Sequence, residues 1–155
     1  VGHGRKPPLW MQDGDVVLAA ESARFIQSFS KIGLVPDAGS SWVLPRRVGM
    51  ARAMGLALTA TALTAAEAVA CGLIWKSHAD AALLPAAEEL TATLASGPTT
   101  AFAATKMLMQ HAASTDFDTH LALEASTQKS CAESDDYSEG VEAFLQKRAA
   151  KYTGG

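Results

Sequence analysis

The sequence predicts an α/β domain that is mostly helical and has only two or three short strands. Three observations predict this class: alanine is very frequent, apolar residues recur at helical spacing through the second half, and β-branched runs are few and short. The chain has 155 residues, of which 48% are hydrophobic and 19% charged. This composition suits one modest globular domain and argues against disorder.

The predicted strands are concentrated in the N-terminal half. Residues 1–14 combine glycines, prolines and mixed charge without periodicity, so we predict a poorly ordered leader there. Short β-branched or aromatic runs that follow predict strands. These predicted strands cover residues 15–21, 23–27 and 73–77.

Most of the chain after residue 39 is predicted to be helical. Residues 31–39 are apolar but are broken by Gly33 and Pro36, so they predict a loop. The next segment should form one or two helical turns that Pro45 ends. Further helices are predicted over 50–60, between a Thr64–Glu67 capping box and Gly72, after a capping Asp80, after Pro98, over about 117–131, and from about Ser138.

Composition also excludes several classes of partner. The formal net charge is −3 with no basic stripe, so no nucleic-acid partner is expected. No run of 18 apolar residues predicts a membrane helix, and residues 1–14 lack the apolar segment of a secretory signal. Cys71 and Cys131 lack companions at ligand spacing, so we predict reduced thiols, no metal site and a cytoplasmic protein.

The stretch GLVPDAGSSW, residues 33–42, contains one carboxylate, Asp37. A carboxylate in an apolar loop is expected to have a raised pKa, which suits a catalytic acid/base. The ordinary alternative is a helix N-cap, because aspartate before Ala-Gly-Ser is good capping chemistry. Local sequence by itself favours the cap, although one residue can serve both roles.

A pair of basic residues and a cluster of acidic residues lie near the end of the sequence. Lys147 and Arg148 follow Phe144 and present cationic and apolar surface that suits an adenine ring with phosphates, although a terminal amphipathic helix explains them equally well. An acidic cluster precedes them and is interpreted as a solvated loop. Its members are Glu133, Asp135 and Asp136.

Three segments, in this order, resemble the crotonase superfamily of enoyl-CoA hydratases and isomerases. They are DVVLAAESARFIQSFSKIGLVPDAGSSWVLPRRVGMARAMGLAL, TAAEAVACGLIWK and YSEGVEAFLQKR. The resemblance covers about residues 15–153, and within the first segment the stretch ARFIQSFSKIGLVPDAG is most similar to ring-1,2-epoxyphenylacetyl-CoA isomerases of phenylacetate breakdown. It implies a left-handed ββα-spiral core, C-terminal helices that build homotrimers or hexamers, and acyl-CoA substrates with no other cofactor. It also implies an enolate stabilised by two backbone amides.

The resemblance assigns roles to individual residues. Asp37 matches the isomerase acid/base, whereas Phe144 and Lys147 match positions that contact the coenzyme A nucleotide. Hydratases use two glutamates, but Phe29 stands at the later position and Leu9 near the earlier one. The pattern therefore favours isomerisation with one acid over hydration.

The N-terminal half of the superfamily's spiral, with both oxyanion-hole amides, is expected to be missing from this chain. We predict an unmatched leader over 1–14, the end of the spiral core over 15–78, and a helical trimerisation region over 79–155. The isolated chain is expected to be weak or inactive. The function hypotheses are an acyl-CoA isomerase, an enoyl-CoA hydratase of fatty-acid oxidation, and a non-catalytic oligomerisation fragment.

Overall fold

The computed structural model describes residues 15–155, which divide into two compact units. The first ends at Ala87, and the second covers Glu88–Gly155. The predicted leader, with Leu9, lies outside the described residues. The first unit contains β1 (Leu18–Ala20), β2 (Arg24–Phe25), a 3₁₀ helix (Ser28–Ile32), α1 (Ser40–Val48), α2 (Met50–Thr59), β3 (Leu63–Thr64), α3 (Ala65–Ala70), β4 (Lys76–His78) and a second 3₁₀ helix (Asp80–Ala82).

Helix α4 (Leu83–Ala95) spans the boundary between the units, and the second unit adds α5 (Thr99–Ala112), α6 (Phe117–Ala132) and α7 (Asp135–Gln146). The prediction of a mostly helical α/β chain with few short strands is therefore confirmed. No helix among residues 15–155 is long and apolar enough to cross a membrane.

The strands pair in two small ladders. Strand β1 runs parallel to β4, with Leu18 opposite Lys76, and β2 runs antiparallel to β3, with Arg24 opposite Thr64. The first two predicted strands are present but shorter than predicted, and the third is displaced, because β4 begins three residues after the predicted start at residue 73 and ends at His78. Strand β3 was not predicted, because a two-residue strand is too short to show an alternating pattern.

The core of the first unit is built from small and medium apolar side chains. One cluster joins Val17 on the chain before β1, Ala68 of α3 and Ile74 before β4. A second cluster joins α1 to α2 through Leu44 and Ala53. Alanine at these positions allows the elements to approach closely, so the short strands are held against α3.

Helix α1 corrects the prediction that Pro45 ends it. Pro45 lies inside the helix, which continues to Val48. A proline at this position removes one helical hydrogen bond and costs about 3 kcal/mol in a typical helix. Leu44 and Val48 on either side are buried, at 6% and 8% exposure, so their packing offsets that cost.

The capping box at the start of α3 is confirmed. The Thr64 hydroxyl accepts a hydrogen bond from the Glu67 amide at 3.2 Å, and the Glu67 carboxylate accepts from the Thr64 amide at 2.7 Å. The hydrogen bond from the Thr64 amide, and then that from its hydroxyl, lower the pKa of Glu67. Gly72 follows the helix with φ of 75°, a value that glycine adopts without strain.

The prediction that Asp80 caps the next helix is wrong. The Asp80 carboxylate accepts hydrogen bonds from the Ser22 amide at 3.1 Å and from the Ser22 hydroxyl, 58 positions away in sequence. The hydrogen bond from the Ser22 hydroxyl lowers the pKa of Asp80 most, and the bond from the Ser22 amide lowers it further. A partner brought close by the fold therefore replaces the local capping role.

The last helix, α7, begins about one turn earlier than predicted. Its N-cap is Ser134, whose hydroxyl accepts from the Tyr137 amide at 3.1 Å. Asp135 and Asp136 thus belong to the first turn of a helix, where carboxylates are favoured by the helix dipole, and not to a solvated loop. Asp136 is only 5% exposed.

Residues 148–155, called the strap here, fold back along α7. The Asp136 carboxylate accepts from the amides of Thr153 at 2.7 Å and Gly154 at 3.0 Å. The amide of Asp136 donates to the carbonyl of Gly155 at 3.1 Å. Backbone groups of the strap, which has no helix or strand to satisfy them, are thus bound by the first turn of α7.

Glu139 holds the beginning of the strap. Its carboxylate oxygens accept from Arg148 Nη1 at 2.6 Å and Nη2 at 2.8 Å, a bidentate ion pair. The Lys151 amide donates to the same carboxylate at 2.7 Å. The hydrogen bond from Arg148, followed by that from the Lys151 amide, lowers the pKa of Glu139 to about 2.

The strap should therefore loosen in acid. Because the pKa of Glu139 falls from 4.5 to about 2 on folding, its stabilising effect is complete above pH 4.5 and is lost as the pH falls through about 2. We expect the hydrogen-exchange protection factor of the Lys151 amide, measured by NMR, to decrease over this range. In Glu139→Gln the protection should already be low at pH 5.

The amide of Leu73 is an internal control, because it donates to the Ala68 carbonyl at 2.9 Å within the first unit, whereas Glu139 belongs to the second. Its protection should persist at pH values where that of Lys151 has decreased. Simultaneous loss at both amides, or an unchanged Lys151 amide between pH 5 and pH 2, would contradict the prediction.

Candidate functional site

Asp37 lies on a tight turn immediately before α1. Its backbone carbonyl accepts hydrogen bonds from the Ser40 amide at 2.9 Å and from the Ser40 hydroxyl. The two central residues, Ala38 and Gly39, have φ of 49° and 78°. Positive φ at both central positions is the pattern of a type I′ turn.

The interpretation of Asp37 as the N-cap of α1 is wrong. The N-cap residue is Gly39, in the left-handed conformation. The bonds from Ser40 go to the main-chain carbonyl of Asp37. Capping chemistry was a reasonable expectation from Asp-Ala-Gly-Ser, but the turn places the N-cap two residues beyond Asp37, at Gly39.

The segment that presents Asp37 is fixed at both ends. At its start, the Leu34 amide donates to the Phe29 carbonyl at 3.0 Å, which ties the loop to the 3₁₀ helix. At its end, Ser40 is buried at 8% exposure. Ala38 holds a left-handed conformation that costs a non-glycine residue about 1–2 kcal/mol, and such strain is concentrated at functional sites.

The surroundings of Asp37 are apolar but open within the described chain. Leu34, Val35 and Trp42 are 59%, 78% and 59% exposed. Asp37 is exposed as well. Residues 15–155 therefore leave the carboxylate exposed, whereas the apolar loop sequence predicted an apolar environment around it.

Phe29 lies in the 3₁₀ helix Ser28–Ile32, before the loop that carries Asp37, and it is half-buried. This is the position at which the resemblance places the later hydratase glutamate. A phenyl ring has no group that accepts or donates a proton, so it cannot activate water.

Phe144 and Lys147 lie together at the end of α7. Phe144 is 81% exposed, and Lys147 is exposed as well. Lys147 has φ of 54° and ψ of 38°, and its amide donates to the Phe144 carbonyl at 3.2 Å. One helical turn therefore presents an aromatic ring and an ammonium group outward, although they belong to the other unit from Asp37.

Arg148 does not share the role that its neighbour was predicted to have. The sequence grouped it with Lys147 as cationic surface, but the guanidinium is paired with Glu139. The sequence reasoning also missed Glu139 and Asp136 as residues that hold the strap. Carboxylates in the first two turns of a helix were the available signal, but their partners lie 9 to 18 positions away.

No group of three or more His, Cys, Asp or Glu side chains in residues 15–155 is arranged to hold a metal ion. Cys71 and Cys131 are both free thiols. Asp37 is thus an exposed carboxylate of the first unit, and Phe144 and Lys147 are exposed side chains of the second.

Comparison with known sequences gives a consistent family. Residues 12–155 match the family model described as Enoyl-CoA hydratase/isomerase. A Rhodobacter capsulatus protein named "Probable enoyl-CoA hydratase" is 49% identical over 140 residues, covering 90% of this chain and 54% of the relative. The 1,2-epoxyphenylacetyl-CoA isomerase of Escherichia coli is 45% identical over 141 residues, covering 91% of this chain and 54% of that enzyme.

Solved structures agree with the sequence comparison. The crystal structure of an enoyl-CoA hydratase/isomerase from Cupriavidus metallidurans superposes with a TM-score of 0.87 at 34% identity, covering 94% of this chain and 55% of that one. The chain thus spans about half the length of the relatives that it matches, and the prediction of a partial crotonase fold is confirmed. The chain belongs to the enoyl-CoA hydratase/isomerase family.

Proposed function

We propose that the protein is an acyl-CoA thioester isomerase in which Asp37 is the acid/base. The observation that carries the proposal is the combination of Asp37 on an anchored, strained turn with Phe29 at the position where hydration needs a glutamate. An isomerase needs one group that removes and returns a proton. A hydratase must in addition activate water.

The proposed reaction redistributes one proton and needs no oxidant or reductant. The Asp37 carboxylate removes a proton from one carbon of the acyl chain, and the C–H electron pair forms an enolate with the thioester carbonyl. Hydrogen-bond donors at that oxygen stabilise its negative charge. The protonated Asp37 then returns the proton at another carbon, which shifts the double bond and restores the thioester.

The proposed substrate is 2-(1,2-epoxy-1,2-dihydrophenyl)acetyl-CoA, an intermediate of phenylacetate catabolism. Opening of the bond between its two epoxide carbons gives the isomeric oxepin, which has the double bond next to the acyl carbon that this proton transfer shifts. The name of the Escherichia coli relative supports this choice. The name of the Rhodobacter capsulatus relative supports the alternative, an enoyl-CoA hydratase. Phe29 favours the isomerase, because a phenyl ring cannot replace the carboxylate that positions water.

We propose that Phe144 and Lys147 bind the nucleotide part of coenzyme A. The exposed Phe144 ring suits stacking on the adenine, and the Lys147 ammonium suits a phosphate. Coenzyme A enters as part of the substrate, so the proposal includes no separate cofactor. The two residues form one site because they lie on the same turn.

The second unit supports a further proposal, a homotrimer or hexamer. Met109 on α5, Phe117 on α6 and Leu145 on α7 are 73%, 76% and 74% exposed. Exposed apolar surface of this kind is typical of interfaces between protein chains. If the chain proves inactive, oligomerisation is the function that these side chains favour.

Asp37→Asn should abolish proton exchange while leaving thioester binding intact. The amide retains the shape of the carboxylate but cannot accept the proton, so exchange should fall by ~10²–10⁴-fold. The measurement is deuterium incorporation into an acyl-CoA in D₂O, followed by NMR, with the protein expressed from its complete coding sequence. Asp118→Asn, an exposed aspartate in the first turn of α6, is the matched control and should exchange normally.

Exchange at the original rate in Asp37→Asn would remove Asp37 from the mechanism. The same preparation separates the two enzyme classes. Hydration of crotonyl-CoA at a rate above that of isomerisation would favour the hydratase and contradict the role assigned to Phe29.

Lys147→Gly should weaken coenzyme A binding without weakening the fold. Glycine adopts the left-handed conformation at this position without strain, so the variant should be more stable by about 1 kcal/mol. Loss of the ammonium group should raise the Kd for coenzyme A in calorimetry. A raised melting temperature with weaker binding cannot result from unfolding, whereas unchanged binding would contradict the proposed contact.

The mass in solution should be that of three or six chains. Sedimentation equilibrium of the protein from its complete coding sequence measures it directly. Replacing both Met109 and Phe117 by glutamate should dissociate the assembly, because charged groups are costly in an apolar interface. Val35→Glu is the control, since Val35 is equally exposed, at 78%, but lies in the first unit. A monomeric wild-type protein would contradict the proposal.

A further inference from the structure

We propose that Glu139 and Arg148 are positioning residues for coenzyme A, whose ion pair holds Lys147 in the conformation that binds the nucleotide. This inference rests on the proposed function, because it assumes the contacts assigned to Phe144 and Lys147. It divides the adjacent Lys-Arg pair into one residue that touches the ligand and one that does not.

Most of the Arg148 donors are already bound within the protein. Besides its two bonds to Glu139, the guanidinium donates through Nε to the side-chain oxygen of Gln146 at 2.8 Å. Nη1 also reaches the Ala149 carbonyl at 3.2 Å. Four of the five N–H donors of Arg148 are therefore bound within the protein, which leaves one Nη2 hydrogen for a phosphate.

Hydrogen bonds hold the backbone on both sides of Lys147. The Lys147 amide donates to the Phe144 carbonyl at 3.2 Å, and the Arg148 amide donates to the Ala143 carbonyl at 3.1 Å. Ala143 is buried at 2% exposure, so this last bond ties the helix end to the core of the unit. The left-handed conformation of Lys147 is thereby fixed while its side chain remains exposed.

The strap keeps Arg148 in place. The Lys151 amide donates to Glu139, and Thr153 and Gly154 donate to Asp136 one turn earlier on α7. Between these points the strap lies close to the helix: a Cβ atom at Gly140 would lie 3.3 Å from the Tyr152 hydroxyl oxygen. The ion pair is thus one point of a continuous attachment that ends next to Lys147.

The charges agree with this division of roles. Glu139 balances the charge of Arg148 through a bidentate pair, which fixes the guanidinium in orientation as well as in distance. This pair also holds the backbone at Lys147, and that backbone sets the direction of the exposed Lys147 ammonium group. Loss of the pair should therefore change the direction of Lys147 without removing its charge.

The test is a double-mutant cycle on coenzyme A affinity. Calorimetry would give the Kd of coenzyme A for wild type, Arg148→Lys, Lys147→Ala and the double variant, each expressed from the complete coding sequence. Arg148→Lys keeps the charge but loses the bidentate geometry, so the Kd should rise roughly tenfold. Because Arg148 acts through Lys147, the double variant should bind no more weakly than Lys147→Ala alone.

Further variants and kinetics separate positioning from a general structural role. Glu139→Gln breaks the same pair from the other side with little change of shape, and it should reproduce the weakening if Arg148→Lys does not fold. Glu124→Gln, an exposed glutamate on α6, is the control and should bind normally. The KM for acyl-CoA should rise in Arg148→Lys while kcat stays unchanged.

Three results would overturn the inference. Unchanged affinity in both Arg148→Lys and Glu139→Gln would show that the pair does not position the site. Additive losses in the double variant would show that Arg148 acts independently of Lys147. Normal binding by Lys147→Ala would remove the coenzyme A contact itself and thereby contradict the proposed binding role too, whereas the first two results leave that role intact.

Discussion

In both units, carboxylates bind several backbone amides that no regular helix or strand satisfies, and the rest of the structure depends on these interactions. A polar backbone group left without a partner is costly, so each helix start and each irregular segment needs an acceptor. The Glu67 carboxylate accepts from a backbone amide at the start of α3, and the Asp116 carboxylate does so at the start of α6. The Asp80 carboxylate accepts from an amide in the turn between β1 and β2. The carboxylates of Asp136 and Glu139 accept hydrogen bonds from backbone amides of the strap. Each of these bonds is strongest when the carboxylate is ionised.

The same constraint organises the proposed binding and catalytic groups. At Lys147 the backbone is fixed by hydrogen bonds of the strap and of Arg148, so the exposed side chain starts from a fixed Cα position. At Asp37 the turn is held instead through the main-chain carbonyl, by a buried Ser40. In both places rigid backbone lies beneath an exposed polar side chain, an arrangement that suits binding and proton transfer, because such sites must be organised before the ligand arrives.

The features that the sequence predicted correctly are those whose partners lie nearby in the chain. The capping box of Thr64 and Glu67 joins residues three positions apart, and Gly72 closes the same helix through its own conformational freedom. The helical pattern after residue 98 likewise depends on neighbours three and four positions apart. The family could be predicted from the sequence for a similar reason. The resemblance depends on continuous segments, such as the one that contains Asp37.

The sequence by itself thus determined the fold class, most of the helices and the family of this protein. Only the tertiary structure decided which acidic residues cap, pair or remain exposed. Asp80 binds Ser22, 58 positions away, and Asp136 binds Gly154, 18 positions away. Helix α1 continues through Pro45, because the packing of its buried neighbours exceeds the local cost of proline. A short polar side chain has several possible partners of similar strength, and the fold selects among them by bringing one within hydrogen-bonding distance.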